Sequence, residues 1–220
     1  MEGAVIVGSI LLAFGIDAAW EGREEAERRE VLLAAIGSDM GRAREEVDRV
    51  AGFHGFGRTA ATDLLRLSTE TPLTESEARV ADSLVAAVFS TATYDAPMGA
   101  VESLLGSGGL NILGDPRLTL ALTAFPALVA DLVREQAQLT SLADDLAEYL
   151  GDQGVDVALL AAPGFDVPWE TGQANVSSVV ASPRFRGIVS HMWYRYSNTT
   201  SDLETIRAAI SQIDSLLPSS

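Results

Sequence analysis

The sequence predicts an all-α protein: an N-terminal transmembrane helix continuing into an up-and-down helical bundle of long amphipathic helices. Three observations carry this. Residues 3–16 (GAVIVGSILLAFGI) are almost purely apolar and are followed by Trp20 and a dense charged stretch, EGREEAERRE. Three later segments place apolar residues at alternating steps of three and four, the spacing of a helix with one buried seam. Two of those segments open with an Xaa-Pro pair that starts a helix. The expected domains are an anchor over 1–20 and a bundle over 21–220, with an irregular insert at 152–181.

Fourteen residues at 1.5 Å each reach about 21 Å, short of a hydrocarbon core of about 30 Å. Counting on to Trp20 extends the span to about 27 Å. Asp17 then lies at the interface and Trp20 at headgroup depth, where indole rings collect. A run this short is also compatible with a buried core helix, and less so with a signal peptide. No basic residue precedes it, and no small-residue cleavage site closes it.

The first seam is Leu33, Ile36, Met40, Ala43, Val47 and Val50, continuing straight out of the anchor. Gly37 and Gly41 beside it permit close helix approach, and two parallel copies could zip along this stripe. The run GFHGFG, residues 52–57, predicts a break or a bend, with His54 exposed in a connecting turn or, less expected, meeting a ligand or metal there, and a second helix over 58–67. Thr74 with Glu77 forms a capping box ahead of Ala81, Leu84, Val85 and Val88. Pro97 opens a short segment ending in the turn 106–109. Asp115-Pro116 starts the longest seam: Leu118, Leu122, Phe125, Val129, Leu132, Gln136, Leu139, Ala143, Leu146 and Leu150. Pro126 is expected to kink this helix and Gly151 to stop it. Gln136 is the one polar member, suited to fixing register. Ser182-Pro183 starts the last seam, from Phe185 through Tyr196 and Thr199 to Leu217. The stretch between these helices is long for a bare connection, so it is expected to hold helical turns or a short hairpin.

Composition excludes several function classes. There are 15 Arg and Lys against 31 Asp and Glu, a net charge of -16 and a pI near 4.4. Nucleic acid is therefore not an expected partner, because phosphates need cations. There is no cysteine, and every basic residue is Arg. Thiolate chemistry, disulfides, Cys-ligated metals, a P-loop lysine and a Schiff-base lysine are all ruled out. No cofactor is implied. The two histidines lie far apart in sequence, and a metal usually takes three or four ligands, so no metal is implied either. Consecutive carboxylates such as Asp144-Asp145 sit about 100° apart on a helix and read as solvated charges. The turn 106–109 lacks the strand, spacing and lysine of a phosphate cradle. The chain is therefore not expected to be an enzyme.

The densest aromatic patch is HMWYRY, residues 191–196. Core and shoulder packing is one reading. A small-ligand pocket walled by Trp193 and Tyr196 with Arg195 as its charged group is the other.

Two stretches, GSILLAFGIDAAWEGREEAERRE and AVESLLGSGGLNILGDPRLTLAL, resemble a bacterial family of uncharacterised single-pass membrane proteins, a domain of unknown function. The resemblance covers about residues 2 to 150. It departs where family members carry basic residues before the anchor, and the last third has no counterpart. It implies an inner-membrane protein with a cytoplasmic N-terminus and an extracytoplasmic helical domain, and it implies no activity. Counting charges gives the reverse orientation, since Arg23, Arg28 and Arg29 follow the apolar run. A basic leader upstream of Met1 would reconcile the two. The expected function is a membrane-anchored scaffold or interaction domain whose partners are the bilayer and a second copy. The alternative is a bundle-type sensor for a small ligand.

Overall fold

The computed structural model describes residues 2–69, 72–89, 91–160 and 174–218, with the backbone alone for 2–11 and 13. Among them are five α-helices and no strand: α1 (Glu2–Leu67), α2 (Glu75–Phe89), α3 (Gly99–Ser107), α4 (Pro116–Asp152) and α5 (Pro183–Leu216). Short 3-10 turns at Gly109–Leu113, Val157–Leu159 and Val176–Ser178 fill the connections. The protein is an all-α helical bundle. The insert expected at 152–181 carries two of these turns, and its residues 161–173 lie outside the described residues.

The start signals work as read. The Asp115 carboxylate accepts from the Arg117 amide at 2.8 Å, capping α4 ahead of Pro116. The Ser182 hydroxyl accepts from the Phe185 amide at 3.1 Å and does the same for α5. At α2, the Thr74 amide donates to Glu77 at 2.7 Å, while the Glu77 amide returns to the Thr74 hydroxyl at 3.4 Å, closing the capping box. The seams are likewise buried. Leu33, Ile36, Met40, Ala43, Val47 and Val50 all face the interior, as do the α5 positions from Phe185 to Ile213.

Three expectations are corrected. First, α1 runs without a break through GFHGFG to Leu67, so no separate helix begins at Arg58. Second, His54 is fully buried. Glycine's helix cost of about 1 kcal/mol is offset here by the packing of His54 and Gly57 against Tyr196 and Thr199. Gly57 is the case in point. A Cβ there would lie 2.4 Å from the Tyr196 ring, so only glycine admits that ring. Third, α4 passes Gly151 and stops at Gly154, which holds φ at 78°. The Val155 amide bonds the Leu150 carbonyl at 3.0 Å and the Gly154 amide bonds Gly151 at 2.9 Å, a Schellman closure. The buried side chains of Val155 and Leu150 complete it.

The chain divides into two compact units. The first comprises Met1–Ala43, Ala96–Ala124 and Ala209–Ser220. Its buried residues include Leu33, Ile36 and Met40 from α1, Val101 and Leu104 from α3, and Leu118 and Leu122 from α4. The buried Asp39 carboxylate accepts from the Ala100 amide at 2.8 Å and thereby caps α3 from another helix. Near Gly37, the Leu217 side chain comes within 3.6 Å of where a Cβ would sit.

The second unit comprises Arg44–Asp95 and Phe125–Ala208. Its core joins Ala61, Leu64, Val85, Val88, Leu139, Leu146, Phe185, Val189, Met192 and Tyr196. Asp82 on α2, almost fully buried, accepts from the backbone amides of Ala174 (2.9 Å), Asn175 (3.4 Å) and Val176 (3.0 Å). One carboxylate so fixes the turn that leads into α5.

Candidate functional site

The first feature is the start of α1. Leu12 and Phe14 are each 67% exposed and Trp20 is 65% exposed, and every residue from Phe14 to Val31 is exposed. The helix meets its first cover at Leu32. Leaving large apolar side chains such as Leu12, Phe14, Ile16 and Trp20 in water costs about 25 cal/mol per Å² of apolar surface.

Length and composition single out another helix as well. Among the described residues, Pro116–Asp152 is long and apolar enough to cross a membrane, with mean hydropathy 1.4 over its best window. Only 22% of that window is buried. Its first turns belong to the first unit and the rest, from Phe125 on, to the second. The Arg29 guanidinium lies 3.3 Å from a Cβ built on Gly114, so α4 begins beside Arg29. That is nine residues, or about 13 Å, past Trp20 along α1. Its seam from Leu118 to Leu150 is then buried against its own chain.

The second feature is a groove of about 1060 Å³ on the first unit, between α1 and the stretch Pro97–Ser103. Val31, Leu32, Ala35 and Ala100 are among its apolar lining residues, and Glu24, Arg28, Asp39 and Arg42 among its charged ones. These charges are already matched. Arg28 pairs with Glu24 at 2.9 Å and Arg42 with Asp39 at 2.7 Å. A polar cleft of about 480 Å³ on the second unit is lined by Asp131, Arg134, Glu135, Asn198 and Asp202 among others. Burial, then the charges of Glu135 and Asp131, raise the Asp202 carboxyl above its ordinary value. No group of three or more His, Cys, Asp or Glu side chains able to hold a metal occurs among the described residues.

The three aromatic-patch residues point in different directions from α5. Tyr196 is fully buried and donates its hydroxyl proton to the Val88 carbonyl at 2.8 Å. Burial also raises its phenol far above the ordinary tyrosine value. Arg195 pairs with Glu135 on α4 at 2.9 Å. Trp193 is partly exposed, and its indole donates to the Thr62 hydroxyl on α1 at 3.0 Å. The structure therefore does not bring the three to one wall, and each already has a partner of its own.

What adjacency in sequence did not reveal is a polar cluster in the second unit, around the irregular strap Thr91–Asp95. His54 bonds the Thr199 hydroxyl through Nδ1 at 2.7 Å and the Ala92 carbonyl through Nε2 at 2.8 Å. The ring edge of Tyr196 meets it with centroids 5.7 Å apart. Gln136, the polar seam residue, accepts from the Tyr94 amide at 3.0 Å and donates to the Ala92 carbonyl at 3.3 Å. Arg49 donates to the Thr93 carbonyl at 3.0 Å, and Glu46 accepts from the Asp95 amide at 3.3 Å. Burial and then the Glu46 charge push the Tyr94 phenol up to about 12, and its buried hydroxyl has no hydrogen-bond partner. The signal for this cluster was Gln136 alone. Its other members are spread from residue 46 to residue 199.

Compared with protein-family profiles, with curated proteins and with solved structures, the chain matches none.

Proposed function

We propose that this chain is a single-pass membrane protein whose helical body acts as a tethered interaction or scaffold domain, without catalysis. The bare apolar start of α1 carries the reading. Leu12, Phe14, Ile16 and Trp20 are exposed on a helix that continues unbroken into the folded body. A bilayer supplies the missing apolar medium, and Trp20, bonded to Glu24, takes the headgroup position. The inner membrane is the proposed location, with the body outside the cytoplasm as the family resemblance implies. The stripe from Leu33 to Val50 is taken up by the chain's own core, so self-association is not assigned to it.

The test is alkaline carbonate extraction of membranes. The full chain is expected to stay in the pellet. Replacing Leu11 and Leu12 together with Arg should release it, since each central charge adds about 2.5–3.5 kcal/mol to insertion. Release of the unchanged chain overturns the anchor. The open groove beside Val31 favours a second reading, in which the body binds a small apolar ligand. A resident ligand copurifying with the chain, and lost on Val31→Arg, would decide for it.

A further inference from the structure

The strap Thr91–Asp95 is held by side chains rather than by secondary structure. Gln136, Arg49 and Glu46 each grip it once or twice, and His54 reaches it from inside the core. His54 differs from the others in being a fully buried group with an ordinary titration near neutral pH. We propose that His54 is a proton-sensitive latch: the neutral imidazole holds the strap down at Ala92, and acid favours the state in which the strap has lifted.

The hydrogen bonds fix one of the ring's protons. A carbonyl only accepts, so Nε2–H donates to Ala92. In the neutral ring, which burial favours, Nδ1 is the acceptor and the Thr199 hydroxyl donates to it. This is the neutral imidazole, with both nitrogens satisfied. A second proton on Nδ1 would turn the Thr199 hydroxyl back toward the Tyr196 or Arg195 carbonyl, each 3.1 Å away. The hydrogen bonds survive that change, but a cation is now buried without an anion beside it.

Among the described residues, the groups found against the ring carry no negative charge. From α5 come the Thr199 hydroxyl and the Tyr196 ring, whose own hydroxyl is committed to Val88 of α2. From the strap comes the Ala92 carbonyl, shared with Gln136 of α4. Tyr94 of the strap is a neutral phenol at these pH values, and Asp95 is exposed. On α1 the nearest strap-gripping charges, Glu46 and Arg49, are paired with each other at 2.6 Å. On α5, Arg195 is paired with Glu135 of α4. Burial dominates and lowers the imidazole's basicity, and the Ala92 carbonyl opposes it only in part.

The sign follows from linkage. With the strap down, His54 binds a proton only below its ordinary range. With the strap lifted, Nε2 meets water and the ring titrates near 6.5. The lifted state therefore binds more protons, and its population rises as pH falls from about 6.5 toward the depressed value. One proton gives at most a tenfold rise per pH unit. Glu46, whose carboxyl Arg49 holds below its ordinary range, titrates lower and does not share this window.

The experiment is hydrogen exchange on the full chain in detergent micelles, corrected for intrinsic rates, at pH 7.5, 6.5 and 5.5. The reporters are the Tyr94 and Asp95 amides. Their protection is expected to fall less than about twofold between pH 7.5 and 6.5 and up to about fivefold between 6.5 and 5.5. His54→Gln keeps a donor for Ala92 but cannot titrate, so its profile should be flat. Unchanged protection in the native chain, or a fall that persists in His54→Gln, overturns the latch. A direct titration of the His54 imidazole by NMR guards against a variant that fails to fold. A native value at or above 6.5 overturns the proposal on its own.

Discussion

Gly57 shows how one missing methyl group decides the local structure. Changing glycine to alanine inside a helix normally gains about 1 kcal/mol. At Gly57 the new Cβ would lie 2.4–2.7 Å from three atoms of Tyr196, a side chain with no room to retreat. Moving it breaks its bond to Val88 and strains the core, at about 1–3 kcal/mol for overpacking. The loss exceeds the gain. Gly57→Ala is expected to destabilise the chain by about 1–2 kcal/mol, while Gly52→Ala, with nothing within 4 Å, should stabilise it by about 0.5–1 kcal/mol. Urea unfolding midpoints of the two variants check this, and equal midpoints would show that the Tyr196 contact is soft.

Among the elements, the turn before α5 depends on a partner ninety residues away. Asp82→Ala would leave the amides of Ala174, Asn175 and Val176 without their common acceptor. Charge-assisted hydrogen bonds of this kind contribute about 1.5–3 kcal/mol, so a loss near 3 kcal/mol is expected. Protease nicking between residues 160 and 182 is the readout, and an unchanged rate would argue against the clamp. Elements of this sort mark the limit of what a sequence discloses. The seams of α1, α4 and α5 were legible because burial repeats every three or four residues along a single helix. The caps were legible because Asp115, Thr74 and Ser182 act within three residues of themselves. The GFHGFG helix was not, because its glycines read as a break while the neighbours that reward helix there, Thr199 and Tyr196, lie about 140 residues on. Adjacency in the aromatic patch does not carry over into the fold. Trp193, Arg195 and Tyr196 are neighbours in sequence, yet a turn of 100° per residue sends them to α1, to α4 and into the core.

For the whole molecule, on the proposed single-pass reading, orientation is the property with the largest consequence and the plainest test. The chain contains no cysteine, so a single one at the exposed Glu102 of α3 is an unambiguous tag. Under the proposed topology, Glu102→Cys in intact cells with a permeable outer membrane reacts with a maleimide that cannot cross the inner membrane. Labelling only after lysis would place the body in the cytoplasm, as Arg23, Arg28 and Arg29 suggest by count. A chain of net charge -16 is repelled by anionic lipid headgroups, so on the same reading the body does not lie along the bilayer.

The unbroken course of α1 has a mechanical corollary. Between Trp20 and the first buried seam residue, Leu33, the chain has no loop, glycine pair or proline to serve as a swivel. On the tethered reading, a helix that leans to match a thinner bilayer carries the seam residues of α1 with it. Bilayer thickness then enters the protein as an angle, at the root of a stiff lever.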